Sequence, residues 1–566
     1  MSNRALLFGG TDGHGIIMTA LSERALEAEG FEVTTVCSYV RPSSENEGIC
    51  ADLGTGIPCL FWQYTFPYYM KSSFKDYALV VIVDIPFPEP DNRCPSLSVD
   101  QVVQQMKSAL KIVPRIVLID HHKNSFTNYG KCSQIGAEVI ITSSAIFTHY
   151  GIPDEFTYKW GKYGAICDRD DAVLPVSEED EIFAARIDSA KRDIAGSLNA
   201  IRHDNASFFN QFPPDTPHAD TVLMYDSFVY VPRLAEGSGY KQLDQACKQY
   251  GKDYALGVGY QNPEKPVILL VTYWKSDNLP VALRLGMTRF RGHVHAPNLD
   301  YSPELIEKLI LLFSSSHEKG DFHGTFTSGS DSFYSYVASF LRRVEIPYFL
   351  TLHKWGHVEH VIANGRTLGS LYGLSEQEQK ILDWACLLHD IGYGIDRTVC
   401  PDFKDVHLLH HEFSEQMIRS WEKEGLFSGF LTHNEVDLIA DMCLRHRKKM
   451  DLLGTDRDHL YILLRVADGM DNDYRRAQKN DKGVFYEELY KVLNDDSRRE
   501  WDSHQAVLGL SLKIRDTTLT FQMIVRDREK AYVKIQDLEL ETEPLKRYFT
   551  VRIEIVDIAD GWREMR

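Results

Sequence analysis

The chain lacks any apolar run approaching the ~18 residues that span a bilayer. No secretory leader is expected, because MSNRALLFGGTDGHG reaches Asp12 and His14 too soon for one. These two absences predict a cytoplasmic protein with no membrane partner. Cysteine is sparse: ten residues, none in a C-x-x-C pair, which reads as reduced thiols rather than a disulfide framework. Positive charge is in deficit, with 62 Lys and Arg against 81 Asp and Glu and a net charge of −19. Duplex affinity rests on many Lys/Arg–phosphate contacts, so long duplex nucleic acid is excluded as a partner. Small anionic substrates are not excluded, because bound cations can supply positive charge locally. Hydrophobic residues make up 43% of the chain, which excludes a disordered polymer. At 566 residues, three or four domains are expected at ~150 residues each.

What is present begins with strands. RALLFGG, EVTTVCSYV, YALVVIVDIP, RIVLIDHH and AEVIITSSA are short, β-branched and apolar on both alternations, as strands of a sheet covered on both faces should be. Amphipathic stretches such as TALSERALEAEG and DQVVQQMKSALKIV lie between them, which predicts a doubly wound parallel α/β domain. Sites in such sheets lie beyond the carboxyl ends of the strands. Asp12 and His14 follow the first strand, Asp84 ends the third, and Asp120, His121 and His122 end the fourth. Asp168 follows a further short apolar run. Carboxylate and imidazole together suit manganese, zinc or a similar divalent ion, and a pair of such ions forms a clamp for phosphoryl transfer.

This order of Asp motif, strand-Asp, Asp-His-His and later Asp resembles the DHH phosphoesterases. The resemblance implies two metal ions, usually manganese, held by Asp12, His14, Asp84, His121 and Asp168. It makes Asp120 and His121 catalytic and gives His122 a substrate contact. It extends to a smaller DHH-associated α/β domain, in which PVILLVTYW and VALRLGMTRF read as strands and SPELIEKLILLF as a helix. There Arg289, His323 and Gly324 become the implied substrate contacts. The sequence departs from the family at Asp12-Gly13-His14, where Asp-x-Asp is usual, and at Asp321-Phe322, where glycine is usual.

After residue 347 helical periodicity takes over. LSEQEQKILDWACLLHDIGYG opens with a capping box, Ser375 and Glu378, and carries Ile381, Leu382, Ala385 and Leu388 at helical spacing before His389-Asp390. His353 and His357 stand at i, i+4, and His446 and Asp468 each follow an apolar helix. The H-x-W-x-H-x-x-x-V opening, LLHDIG and LLRVADGMD resemble the HD phosphohydrolase superfamily over about residues 350–475. The resemblance implies that His357, His389, Asp390 and Asp468 hold a metal, with His389 and Asp390 catalytic. His411 and His446 match positions that take a second metal or the phosphate. Arg445 and Lys448, in a compact basic cluster, are the expected anion contacts. The tail alternates strand-like runs, AVLGLSLKIRD, TLTFQMIVRD, AYVKIQDLEL and RYFTVRIEIVD, which predict a small antiparallel β element.

The expected architecture is therefore multidomain. It runs from a DHH-like α/β doubly wound parallel sheet (1–200) and a linker with a small α/β domain (201–345) to an all-α HD-type domain (346–500). A small mainly β C-terminal element (501–566) follows. The expected function is a bifunctional metal-dependent phosphohydrolase of phosphodiester and phosphomonoester bonds in nucleotides, above all short or cyclic oligonucleotides. Manganese is expected, two ions in the first site and one or two in the second, with Mg2+, Co2+, Ni2+, Fe2+ and Zn2+ left open. Homo-oligomerisation is also open. Two alternatives stand beside this reading: an HD hydrolase regulated by a ligand-sensing DHH module, and a polyphosphate or pyrophosphate hydrolase.

Overall fold

Five apolar segments of the first half pair side by side as β1 (Arg4–Gly9), β2 (Glu32–Val36), β3 (Leu79–Val83), β4 (Ile116–Asp120) and β5 (Glu138–Thr142), all parallel, in the order β5-β4-β3-β1-β2. The computed structural model describes residues 3–37, 61–87, 97–122, 126–142, 145–151, 154–168 and 177–212, and parts of 223–351. It then describes 355–396, 398–400, 402–447, 454–477, 486–515 and 517–558. Alternation explains why the strands are apolar throughout. Leu6, Phe8, Val80 and Ile82 enter one core, and Ala5, Leu7, Val81 and Val83 enter another on the opposite face. Helix α1 (Gly13–Ala28) covers the second face. Helix α2 (Phe126–Gln134) follows β4, and helix α3 (Glu155–Asp168) packs on α1.

A second, six-stranded sheet comprises β6 (Leu223–Met224), β7 (Phe228–Leu234), β8 (Tyr254–Gly259), β9 (Val267–Thr272), β10 (Arg291–His293) and β11 (Ala296–Asp300), with the helix Gly239–Tyr250 packed on it. The expected strand PVILLVTYW is β9. The run VALRLGMTRF and the glycine loop with His323 and Gly324 lie outside the described residues, as does most of SPELIEKLILLF.

The expected helical region follows as α4 (Trp355–Tyr372), α5 (Glu376–Leu388), α6 (Phe403–Lys423), α7 (His433–Leu444) and α8 (Asp458–Gly469). The capping box is present: Ser375 accepts from the Glu378 amide, and Glu378 accepts from that of Ser375. Helix α4 lies directly on α2, where Gln134 Nε2 donates to the Ser370 carbonyl at 2.6 Å. One apolar core runs without a break from Phe8 and Ile82 of the sheet through Trp355 and Val361 to Leu463.

The tail corrects the expectation. Strands β12 (Val507–Arg515), β13 (Thr518–Val525) and β14 (Thr550–Asp557) are not a β element of their own. Strand β12 pairs antiparallel with β5, Leu512 opposite Ile141, so the first sheet has eight strands in the order β14-β13-β12-β5-β4-β3-β1-β2. AYVKIQDLEL is helix α9 (Tyr532–Thr542), not a strand. Its buried residues Ile535, Leu538 and Thr542 recur at helical spacing. The helix makes a crossover, and β13 and β14 are accordingly parallel. Among the described residues, the cysteines are all free and no helix is long and apolar enough to cross a membrane.

Candidate metal centres

The first cluster forms where the strands of the parallel sheet end. The turn from β1 into α1 is tight enough that a Cβ on Gly15 would lie 2.5 Å from the Gly10 Cα, so the turn requires glycine there. It delivers His14, 2% exposed, whose Nε2 faces the Ala145 carbonyl at 3.1 Å and whose Nδ1 lies 3.0 Å from Asp84 Oδ2. Asp84 sits just past β3 at φ 55°, a conformation that costs a non-glycine residue energy and is typical of functional sites. His121 Nε2 is 3.4 Å from Asp84 Oδ1 and 3.4 Å from Asp168 Oδ2. Asp168 arrives at the end of helix α3, not after a strand. The buried positions Trp160, Gly161, Gly164 and Ala165 carry helical spacing into it.

Asp120 is fully buried and saturated with donors. Its Oδ1 accepts from the amides of His121 (2.9 Å) and His122 (3.2 Å) and lies 2.7 Å from His122 Nδ1, and its Oδ2 accepts from the Tyr129 hydroxyl at 2.9 Å. It holds the two histidines in place. Asp12 is likewise committed: its Oδ1 caps α1 by accepting from the Gly15 amide at 2.7 Å. The expected ligand Asp12 belongs to neither group of converging ligand atoms, which are Asp84, Asp120, His121 and His122, and His14, His121 and Asp168.

Burial and the neighbouring Asp84 push the Asp12 carboxyl up to about 6. Burial opposes a charge on His14, but Asp84 outweighs it and raises the imidazole to about 10. His122 also rises to about 10, with Asp120 overriding burial. Asp84 is held well below the carboxylate range against its burial, chiefly by His14. His14 Nδ1, Asp84 Oδ1 and His121 Nε2 are buried without a hydrogen-bond partner, although they lie close together. Buried polar atoms left in that condition are costly, and a shared cation satisfies all three.

The second cluster joins α4, the end of α5, α6, α7 and α8. His357 Nε2, His389 Nε2 and Asp468 Oδ1 converge: 3.3 Å between the imidazole nitrogens and 3.2 Å from His357 to Asp468. Asp390 joins them through Oδ2, 3.6 Å from His357 and 3.5 Å from His389. Its other oxygen, Oδ1, faces His410 (3.4 Å) and His446 (3.8 Å). This second trio corrects an expectation, because it holds His410 where His411 was expected. His411 lies one residue on, about 100° around the helix, and its Nε2 approaches Glu412 at 4.0 Å.

Every imidazole here is locked by its other nitrogen. Nδ1 pairs with the Cys386 carbonyl in His389, that of His407 in His410 and that of Cys443 in His446, at 2.6–2.8 Å. In His357 it pairs with Asp471 Oδ2 at 2.8 Å. With Nδ1 donating, a neutral imidazole presents a lone pair at Nε2. Burial pushes His410 down to about 3 and also lowers His446, so both are neutral. Their Nε2 lone pairs nevertheless face each other at 3.2 Å, an arrangement that fits an intervening cation. His357 goes the other way, up to about 9, because Asp468 and Asp471 outweigh burial and Arg476. Ser414 ties α6 to the motif: its hydroxyl donates to the His389 carbonyl (2.7 Å) and accepts from the Gly392 amide (2.9 Å).

Residues 346–543 match a family model described as HD-CE. Among curated proteins none matches the sequence. Solved structures similar to the chain include RecJ in complex with Mn2+ from Thermus thermophilus, at 13% identity and a TM-score of 0.30, over 55% of this chain and 51% of that one. The chain thus spans about half the length of that relative. Another is an exonuclease RecJ bound to manganese (12% identity, TM-score 0.27, 56% and 91% covered). A third is the DHH domain of a protein assigned to a family of ribosomal proteins (14% identity, TM-score 0.31, 55% and 86% covered). The likeness in structure is faint, so function is read from the site's own atoms.

Of the expected anion contacts, Arg445 is engaged elsewhere, with its Nε on Asp441 Oδ1 at 3.0 Å, and Arg289 and Lys448 lie outside the described residues. His410, Asp471, His360 and Tyr129 were not expected. For His410 a signal existed in position: Val406, His410, Ser414 and Ile418 recur at steps of four along one face, and His411, though also buried, lies off that line.

Proposed function

We propose that the protein is a metal-dependent phosphohydrolase with two centres, acting on phosphodiester and phosphomonoester bonds of nucleotides, short or cyclic oligonucleotides above all. The supporting observation is Asp390, one oxygen of which faces His357 and His389 and the other His410 and His446. Divalent ions bound there supply a Lewis acid for a phosphoryl oxygen and lower the pKa of water. The mixed imidazole and carboxylate donors suit manganese, and equally zinc, iron, cobalt or nickel, of which manganese is the ion proposed. His357, His389, His410 and His446, with rings fixed through Nδ1, would hold the ions. Asp468 has a side-chain exposure of 28% where His357, His389 and Asp390 have 3% or less, so it lies at the mouth. There it would join His357 and His389 in holding an ion.

At the first centre, His14, Asp84, His121 and Asp168 are the ligands, and Asp120 acts through His121 and His122 as a positioning residue. Asp12, whose Oδ1 caps α1, stands outside both groups of converging ligand atoms, which favours a second reading, in which this half binds a nucleotide and regulates the other. The deciding experiment is a manganese-supplemented hydrolysis panel of linear and cyclic dinucleotides, nucleoside mono- and triphosphates, and pyrophosphate. The intact chain is compared with Asp120→Ala/His121→Ala and His389→Ala/Asp390→Ala. Two active heads give a different lost substrate for each double variant. Loss confined to the His389/Asp390 variant establishes the regulatory reading, pyrophosphate as the preferred substrate establishes the polyphosphate reading, and activity untouched by either overturns the proposal.

A further inference from the structure

The three strands that the tail adds to the first sheet have an inner and an outer flank. On the inner flank β12 joins β5 and lends Leu510 to a narrow cleft between the halves, lined also by His121, His360 and Arg475. On the outer flank stands β14, the last strand of the sheet. It pairs with β13 residue for residue, from Thr550 opposite Thr518 to Asp557 opposite Val525, with no bulge. Among the described residues no strand lies beyond it. The edge of a sheet offers a row of unpaired N–H and C=O groups to a further strand, and native edges are commonly blunted by shortness, proline or a bulge. Strand β14 has eight residues and none of these devices.

Its two faces are both suited to a further strand. On one face Leu519, Phe521 and Met523 of β13 are buried, whereas their neighbours Val551, Ile553 and Ile555 in β14 are only half-buried against the same core. On the other face stand Arg552 and Glu554, exposed and of opposite sign. Glu554 Oε2 accepts from Gln522 Nε2 at 3.3 Å, and among the described residues Arg552 has no ion partner.

Charges on an edge commonly repel other strands. This pair is instead complementary to itself. In an antiparallel pairing about a twofold axis normal to the sheet, every side chain keeps its own face. With Ile553 on the axis, Arg552 of each copy meets Glu554 of the other, and Val551 meets Ile555. Moving the axis to position 552 or 554 sets Arg552 against Arg552 or Glu554 against Glu554. Opposite charges directly across a pair of strands stabilise it and like charges destabilise it, so one register is selected.

We propose that β14 is the docking edge for a second copy of this chain. The two sheets join antiparallel through β14 with Ile553 on the twofold axis. Val551, Ile553 and Ile555 of the two copies cover one another, and an Arg552–Glu554 pair forms on either side of the axis. The proposal does not depend on what either metal centre does.

Sedimentation velocity of the full-length chain over a dilution series tests it. The parent chain is expected to sediment as a dimer that dissociates on dilution. Arg552→Glu and Glu554→Arg each set like charges across the joint twice, and each should weaken the dimer about tenfold or more. An equimolar mixture of these two single variants restores opposite charges at every contact, and should recover a dimer of parent affinity. The double variant Arg552→Glu/Glu554→Arg should recover it too. Misfolding of a variant is not repaired by mixing, so recovery separates charge from folding. Arg499→Glu makes the same change in net charge at a side chain 72% exposed on another element, and should leave the dimer intact. A parent chain that stays monomeric throughout, a dimer indifferent to both reversals, or one weakened equally by Arg499→Glu overturns the proposal. So does failure of both the mixture and the double variant to recover the dimer.

Discussion

Asp390 turns one carboxylate oxygen toward His357 and His389 and the other toward His410 and His446. The neighbours His410 and His411 test that division. Manganese content, measured by mass spectrometry after dialysis, should fall by one ion per chain in His410→Ala and stay unchanged in His411→Ala. At the first centre the corresponding support is Tyr129, whose hydroxyl is one of the donors holding Asp120. Loss of an outer partner of this kind costs on the order of tenfold in metal affinity or activity. Tyr129→Phe is therefore expected to weaken manganese binding at the first centre about tenfold and leave the second unaffected. Titration of the His389→Ala/Asp390→Ala chain with and without the substitution measures this.

The short turn after α5, Ile391–Gly394, packs on α6 at Gly392, where a Cβ would run into the His410 carbonyl. Gly392→Ala must push α6 away, and overpacking of this kind costs about 1–3 kcal/mol. A urea midpoint lowered by that amount, with one manganese position lost, is the expected outcome. Elements like these differ in how far the sequence alone announced them. Strands β1–β5 were legible because they are buried on both faces and carry an unbroken apolar code, and Asp84 and Asp120–His122 were legible because they stand where that code stops. Helix α9 was not, because Val533, Ile535, Leu538 and Leu540 read nearly as well as an alternating strand. Its helical period shows only once packing selects Ile535, Leu538 and Thr542 for burial. Asp168 was found but on the wrong kind of element. The pairing of β12 with β5, and the cleft that sets Arg475 near His121, join residues hundreds of positions apart. No local pattern records them.

Across the whole molecule, buried histidines make stability depend on pH. Burial lowers His149 to about 4 and, with Lys534, His504 to about 4. Both are neutral in the folded state, whereas the unfolded chain protonates them near 6.5. The unfolded state therefore binds more protons between about 6.5 and 4, and stability falls as pH drops through that window, by roughly 1.4 kcal/mol per pH unit for each residue. Denaturant midpoints should fall between pH 6.5 and pH 4, and His504→Gln should show a shallower fall than the parent chain over that window. The shared sheet makes a second whole-molecule prediction. A chain stopped at residue 500 loses β12–β14 and exposes the edge of β5, and open edges seek other chains. Gel filtration should find that fragment aggregated, not as a smaller monomer. The same pairing also imposes an order in time. On the ribosome, β5 emerges early and its partner only after more than three hundred further residues, so the sheet carries an open edge for most of synthesis. The cleft wall contributed by Leu510 cannot form before then either. The cleft between the halves stays unfinished until nearly the whole chain exists, and an interrupted translation product lacks the wall that Leu510 supplies.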